Sequence, residues 1–212
     1  PLSMLEESGC RFRIHASGKR ITREELIQEG PDAAVIVAGV ESYDAATLAR
    51  LPALRCISRC GVGVDAIDLA AARERGIVVT NTPTIPTEAV AELALSMFLS
   101  LSRNLRPQAN LMGARRWERL NAHLLAGRTV GLLGLGRIGR RVAELCRAFN
   151  TKVVAHDPQG DPVVTEALGV ALVGKKELLD QADIVSLHAS SGGAEEVLIG
   201  APELKLMKPE AV

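Results

Sequence analysis

The segment TVGLLGLGRIGRRVAELC, residues 129–146, constrains the fold more than any other part of the sequence. An apolar run of strand type leads directly into Gly134, Gly136 and Gly139, and a helical pattern follows. Glycines at this spacing allow a sharp turn, the close approach of a pyrophosphate, and tight packing of the helix on the sheet. The N–H groups of Arg137 and Ile138 at the start of that helix would face the anion. The segment therefore predicts a dinucleotide-binding βα unit.

Asp157 ends the next strand of this unit, within VVAHDP. A carboxylate at this position accepts hydrogen bonds from both hydroxyls of the adenosine ribose and repels a 2′-phosphate. Neither Arg nor Lys occurs in HDPQGD, so the sequence predicts NAD rather than NADP. The side chain of Arg137 is either a further phosphate ligand or a solvated helix residue, because the backbone alone satisfies a phosphate.

Strand and helix patterns alternate along the whole chain, which predicts an α/β fold with parallel sheets covered on both faces. A proline-rich crossing near Pro83 separates two such series and predicts domains at 1–82 and 83–212. In the first domain the predicted strands are CRFRIHA (10–16), AAVIVAG (33–39), LRCIS (54–58) and GIVVTN (76–81). Thr22 and Glu25 stand at capping-box spacing ahead of a short helix.

The second domain begins with a helix predicted over 87–102, capped by Thr87. Its apolar face is predicted from the spacing of Val90, Leu93, Ala94, Met97, Phe98 and Leu101. The later elements are predicted as strand 129–133, helix 137–149, strand 152–157, a turn region with Pro158 and Pro162, strand 169–173, helix 175–181 and strand 183–188.

Composition excludes several classes of protein. The chain has 25 basic and 25 acidic residues, so no net field favours nucleic acid or an anionic membrane. Its longest apolar stretch is interrupted by Glu92 and is too short to span a bilayer. The four cysteines, Cys10, Cys56, Cys60 and Cys146, match neither a redox pair nor a zinc site, which favours free thiols in the cytoplasm and no bound metal.

A second glycine loop occurs in RCGVGVD, where Gly61 and Gly63 follow an apolar strand. Small residues at the carboxyl end of a strand allow consecutive N–H groups to form an anion-binding nest. An ordinary βα turn is the alternative interpretation.

Taken together, these segments resemble the D-2-hydroxyacid dehydrogenase family, especially its phosphoglycerate dehydrogenase-like members. The matching stretches, in the order of the family, are RCGVGVDAIDLAAARERGIVVTNTP, TEAVAELALSMFLSLSRN, LAGRTVGLLGLGRIGRRVAE, VVAHDP, DIVSLH and LKLMKPEAV. The resemblance implies a flavodoxin-like substrate domain over 1–82 and a Rossmann-type NAD-binding domain, a doubly wound parallel sheet, over 83–212. It also implies hydride exchange between NAD and a small 2-hydroxy or 2-keto acid.

The resemblance carries roles onto particular residues. The N–H groups of Val62 and Gly63 would hold the substrate carboxylate. Arg59 would bind a second anionic group such as a phosphate, or it is a surface residue at a strand end. The helix over 87–102 would contribute to a homodimer interface.

His188 ends a strand on the ligand side of the predicted sheet, and a role at the edge of the cofactor or in stabilising the loop is favoured over acid–base catalysis. The family follows this histidine with an apolar-proline segment, whereas this chain has ASSGGAEE, where Ala189 and Ser190 would line the site through their backbone. His15, His123 and His156 are interpreted as surface or packing residues.

No catalytic residue is predicted. The family supplies an Arg in an Asn-x-x-Arg-Gly turn, then an acid, then a His, all beyond the segment that matches LKLMKPEAV, and the sequence is therefore expected to be incomplete at its carboxyl end. The alternative is an NAD-sensing binding protein, as the corepressor relatives of the family are, or a catalytically inactive form.

Overall fold

The structure is a computed structural model that describes residues 2–189 and 197–212. The chain divides into two compact units, Pro1–Thr82 and Pro83–Val212. Ser190, for which a backbone role was predicted, lies outside the described residues. Within the described ranges no helix combines the length and the apolar character that crossing a membrane requires.

The first unit contains a parallel sheet with the strand order β1-β2-β3. Its elements are α1 (Leu2–Glu7), α2 (Arg23–Glu29), β1 (Val35–Ala38), α3 (Ala45–Ala49), β2 (Cys56–Arg59), α4 (Leu69–Glu74) and β3 (Val78–Asn81). The capping box predicted for α2 is confirmed, since Thr22 and Glu25 exchange side chain-to-backbone hydrogen bonds. Asp44 and Asp68 cap α3 and α4 by accepting from the N–H groups of Thr47 and Ala71, which a helix start would otherwise leave free.

Only one face of this sheet is covered by the described residues. Ile57, at the centre of the sheet, is fully buried in a cluster with residues of α2, α3 and α4. On the opposite face Val35, Val37 and Val78 are 58%, 69% and 58% exposed. For this unit the expectation of a sheet covered on both faces is therefore wrong.

The predicted strand at residues 10–16 is absent, and the segment has an irregular conformation. Its alternating pattern is typical of a strand, but a strand needs a neighbour to satisfy its backbone. Here the segment is tied to α2 through side chains instead. Arg13 donates to the carbonyl oxygen of Glu29 at 2.6 Å, and His15 Nδ1 lies 3.3 Å from the Glu29 carboxylate.

The second unit contains a parallel sheet with the strand order β6-β5-β4-β7. Its elements are α5 (Pro86–Ser102), α6 (Leu105–Gly113), β4 (Thr129–Leu133), α7 (Arg137–Ala148), β5 (Lys152–His156), α8 (Pro162–Leu168), β6 (Ala171–Leu172), α9 (Lys175–Gln181), β7 (Ile184–Leu187) and α10 (Ala201–Leu204). Val130 and Leu132 pack with α5 and α7 on one face, while Leu133 and Val154 pack with α9 on the other. This is a doubly wound, Rossmann-type α/β arrangement.

Two helices of this unit were not predicted, and one cap was misplaced. The region expected to be a turn contains α8, because Asp161 caps its first turn and Pro162 suits the first helical position. Helix α6 was also missed. Thr87 does not cap α5, since the helix already begins at Pro86, whose fixed φ favours that position.

The buried face of α5 differs from the predicted one. Ala91, Ala94 and Phe98 are buried against the core, whereas four of the predicted residues are exposed by 36% to 55%, namely Val90, Leu93, Met97 and Leu101. The helix is apolar on nearly all sides, so its pattern alone does not select a face. We call these four exposed residues the apolar stripe of α5.

Candidate functional site

The predicted cofactor residues meet at one edge of the second sheet. In the parallel register Leu133 pairs with His156 on one side and with Leu187 on the other, so three strands end together. Gly134, Asp157 and His188 are the residues that follow these strands. The carboxyl edge of a parallel sheet is where open α/β folds bind ligands.

Gly134 and Gly139 are required by the packing of this edge. Gly134 has a φ of +98°, and a Cβ on it would lie 2.6 Å from the backbone nitrogen of Ala189. A Cβ on Gly139 would lie 2.3 Å from the carbonyl oxygen of Gly134 and 3.6 Å from the Cβ of His188. The start of α7 therefore approaches the loop and the end of β7 as closely as glycine alone permits.

Gly136 differs from both, because a Cβ on it would meet no described atom within 4 Å. It is the N-cap of α7 and has no side-chain cap, unlike the N-caps of α2, α3, α4 and α8. Among the described residues no hydrogen bond uses the N–H groups of Gly136, Arg137 or Ile138. Open space beside free N–H groups at a helix start fits a pyrophosphate. The side chain of Arg137 is exposed, which leaves both interpretations of it open.

Asp157 is bound to the glycine loop by a hydrogen bond. Its Oδ2 accepts from the N–H of Leu135 at 2.7 Å, and its Oδ1 accepts from the N–H of Gln159 at 2.8 Å. Each carboxylate oxygen has a second lone-pair site, so these bonds leave room for ribose hydroxyls. The carboxylate is thus held beside the glycine loop.

His188 is mostly buried at the end of β7. Burial lowers the pKa of the imidazole, because the charged form would lose solvation there. The ring Nε2 shares a hydrogen bond of 3.0 Å with the hydroxyl of Ser186. The backbone N–H of His188 donates to the carbonyl oxygen of Leu133. A Cβ on Gly139 would lie 3.6 Å from the Cβ of His188, so the histidine lies beside the start of α7, and Ala189 next to it in the chain is exposed.

In the first unit the glycine loop after β2 turns two carbonyl groups towards the end of β3. The carbonyl of Gly61 accepts from the N–H of Thr82 at 3.0 Å, and that of Val62 accepts from Asn81 Nδ2 at 2.8 Å. Carbonyl and N–H point in opposite directions across a trans peptide. The N–H groups of Val62 and Gly63 therefore point away from β3, and neither has a hydrogen-bond partner among the described residues. This arrangement fits a carboxylate.

Arg59 braces this loop. Its Nε donates to the carbonyl of Gly63 at 3.1 Å and its Nη1 donates to the carbonyl of Cys60. A Cβ on Gly61 would lie only 2.7 Å from Nη1 of this guanidinium, and the φ of +150° at Gly61 also favours glycine. Asp65 Oδ2 would lie 3.0 Å from a Cβ placed on Gly63. Arginine has five donors, so Nη2 is available for a further anion.

Sequence reasoning did not identify Asn81, Thr82 or Arg140 as residues of these sites. Asn81 ends a predicted strand and Thr82 follows it, and residues at the carboxyl end of a parallel strand are candidates for a ligand site. Arg140 donates from Nε to the carbonyl of Leu135 at 2.9 Å, a contact five residues back along the chain that no helical spacing rule indicates.

The fold and this edge define the second unit as a dinucleotide-binding domain of Rossmann type. Residues 95–212 match the family model described as "D-isomer specific 2-hydroxyacid dehydrogenase, NAD binding domain". The chain belongs to the D-isomer specific 2-hydroxyacid dehydrogenase family. The matching model describes an NAD-binding domain, and the prediction of NAD as the cofactor is thereby confirmed.

Among similar proteins, a D-3-phosphoglycerate dehydrogenase of Methanocaldococcus jannaschii is 38% identical over 199 residues, covering 91% of this chain and 37% of the relative. A glyoxylate reductase of Aeropyrum pernix is 35% identical, covering 81% of this chain and 54% of the relative. The crystal structure of D-lactate dehydrogenase from Aquifex aeolicus, complexed with NAD and lactic acid, superposes with a TM-score of 0.84 at 28% identity, covering 98% of this chain and 63% of that one. The chain thus spans between about a third and two thirds of the length of these proteins.

Proposed function

We propose that the protein is an NAD-dependent oxidoreductase that exchanges a hydride with a small 2-hydroxy or 2-keto acid, as phosphoglycerate dehydrogenase does. The observation that carries the proposal is the edge of the second sheet, where Gly136 leaves room beside free N–H groups and the Asp157 carboxylate accepts from the N–H of Leu135. Similarity to a D-3-phosphoglycerate dehydrogenase and to a glyoxylate reductase supports the substrate class.

In this proposal the N–H groups of Val62 and Gly63 hold the substrate carboxylate, and Nη2 of Arg59 binds a phosphate when the substrate carries one. NAD, held by the second unit, would supply the acceptor for the hydride that leaves C2 of the hydroxy acid, and the hydroxyl proton would pass to a base. We assign no described residue as that base. The contribution of this chain is to bind and orient both reactants.

The apolar stripe of α5 supports a proposed homodimer in which the region 87–102 faces a second copy of the chain. Side chains of this size, contiguous along one helix, are unfavourable in contact with water. The four free cysteines support the proposed cytoplasmic location, because disulfide bonds are rare there.

Turnover by the purified full-length protein tests the proposal. NADH is mixed with glyoxylate or hydroxypyruvate, and NAD with 3-phosphoglycerate, while the absorbance of the reduced cofactor is followed. We expect turnover with at least one of these acids. NAD binding without turnover of any of them would contradict the proposal and favour an NAD-sensing protein. Arg59→Met tests whether Arg59 binds the phosphate of a substrate. It should raise KM for 3-phosphoglycerate more than KM for hydroxypyruvate, which has no phosphate.

A further inference from the structure

Leu135 stands between the first two glycines of the motif, and both its N–H and its carbonyl oxygen are held by hydrogen bonds. Its N–H donates to Asp157 Oδ2 at 2.7 Å, and its carbonyl oxygen accepts from Arg140 Nε at 2.9 Å. Its side chain is 2% exposed and packs in the core of the second unit. Two side chains of opposite charge thus hold one residue of an otherwise irregular loop.

The contact with Arg140 also determines the orientation of the next N–H group. Carbonyl and N–H are antiparallel in a planar trans peptide. Because the carbonyl of Leu135 points towards Arg140, the N–H of Gly136 points the opposite way. This N–H belongs to the N-cap of α7, where no side chain occupies it and a Cβ would meet open space. Arg140 therefore orients a donor that the pyrophosphate needs.

We propose that Arg140 is a positioning residue for NAD, acting through the carbonyl of Leu135 rather than through its own charge. Without this hydrogen bond the peptide between Leu135 and Gly136 is free to rotate. NAD binding then has to order this peptide, which lowers the affinity. The proposal rests on NAD binding by this unit and not on the proposed dehydrogenase reaction. An inactive protein that binds NAD would still test it.

Three variants of the full-length protein separate positioning from charge. Arg140→Met removes the donor and keeps the apolar length of the side chain. Arg140→Gln removes the charge but places an amide Nε2 donor the same number of bonds from Cα as the arginine Nε. Arg147→Met is the matched control, because Arg147 lies on the same helix and donates from Nη1 to the carbonyl of Leu168 at 2.7 Å, outside the glycine loop.

The dissociation constant for NAD is measured by titration calorimetry, and thermal unfolding is measured in parallel. We expect Arg140→Met to weaken NAD binding about tenfold, the effect of losing one hydrogen bond that orders the site. Arg140→Gln should stay within about threefold of the parent protein, and Arg147→Met should change only the Tm. If Arg140→Gln weakened NAD binding as much as Arg140→Met, the proposal would be overturned, because the charge of Arg140 and not its hydrogen bond would then determine the affinity. Unchanged affinity in Arg140→Met would overturn it in favour of a purely structural contact.

Amide exchange gives a second readout that does not depend on affinity. At saturating NAD, the amide of Gly136 should be protected in the parent protein and in Arg140→Gln. In Arg140→Met the same amide should exchange faster, and the amide of Leu135 should lose protection even without NAD. Identical exchange at both amides in Arg140→Met and the parent would contradict the proposal.

Discussion

Gly139 lies directly against Gly134: a Cβ on Gly139 would stand 2.3 Å from the Gly134 carbonyl oxygen. The second glycine of the motif, Gly136, has open space at the same point. Two glycines three positions apart are therefore required for different reasons. One permits contact between parts of the protein, and the other leaves room for a ligand.

Alanine at one of these positions should lower stability, and alanine at the other should lower the affinity for NAD. Gly139→Ala forces backbone to shift and should lower the free energy of unfolding by about 1–3 kcal/mol, as overpacking does. Gly136→Ala should leave the Tm nearly unchanged and weaken NAD binding, since its methyl group enters the space for the pyrophosphate. Thermal unfolding and calorimetric titration measure the two effects. A Gly136→Ala protein with parental NAD affinity would contradict the placement of the pyrophosphate.

Asp157→Ala should weaken NAD binding by about 1–3 kcal/mol, because a charged partner of the ribose is lost along with the support of the Leu135 N–H. The affinity for NADP should fall less, since the repulsion of its 2′-phosphate is removed. Asp161→Ala is the matched control: it removes a nearby carboxylate that only caps α8. It should lower stability and leave both affinities unchanged. A parental NADP-to-NAD affinity ratio in Asp157→Ala would count against the ribose role.

The glycine motif, the parallel sheet of the second unit and the capping box at Thr22 were all predictable from the sequence, because each depends on local spacing. The positions of strands β4, β5 and β7 followed from short apolar runs for the same reason. Each of these elements has a recognisable pattern of neighbouring residues, although the strands themselves pair over long separations, as Val130 does with Val153 and Ile184.

Several of the errors come from contacts that the periodicity of a sequence does not encode. Residues 10–16 alternate like a strand, but hydrogen bonds to Glu29 hold them against α2. In α5 the buried side is set by Ala91 and Ala94, whose small side chains allow close packing, and not by the larger residues of the apolar stripe. The hydrogen bond from Arg140 to Leu135 depends on how the loop folds back over the helix. No periodicity encodes such contacts.

Burial of His188 predicts a loss of stability at mildly acidic pH. Its pKa in the folded protein lies below the ordinary value of 6.5, so below that pH the unfolded chain takes up a proton that the folded protein resists. The free energy of unfolding should therefore fall between about pH 6.5 and 5, before most carboxylates titrate. His188→Gln should flatten this part of the curve. His123→Gln, at an exposed histidine, should not, and equal curves for all three proteins would contradict the assignment.

Replacing Asn81 should weaken substrate binding without changing the affinity for NAD. Its side chain holds the carbonyl of Val62 and thereby turns the N–H of Gly63 outward. We expect Asn81→Leu to raise KM for the 2-keto acid about tenfold while the dissociation constant for NAD stays unchanged. Thr80→Ala, at an exposed neighbour on the same strand, serves as the control. A change in NAD affinity with an unchanged KM would contradict the role given to the nest.

The apolar stripe of α5 predicts a dimer that charge would dissociate. Leu93 and Met97 are 54% and 53% exposed and lie about one helical turn apart, so glutamate at both would place two like charges in the proposed interface. The double variant should sediment as a monomer under conditions in which the parent protein is a dimer. Val163→Glu is the control, since Val163 is an apolar residue of α8 that is 75% exposed and lies outside the stripe. A dimer that survives both glutamates, or a monomeric parent protein, would show that this helix does not form the interface.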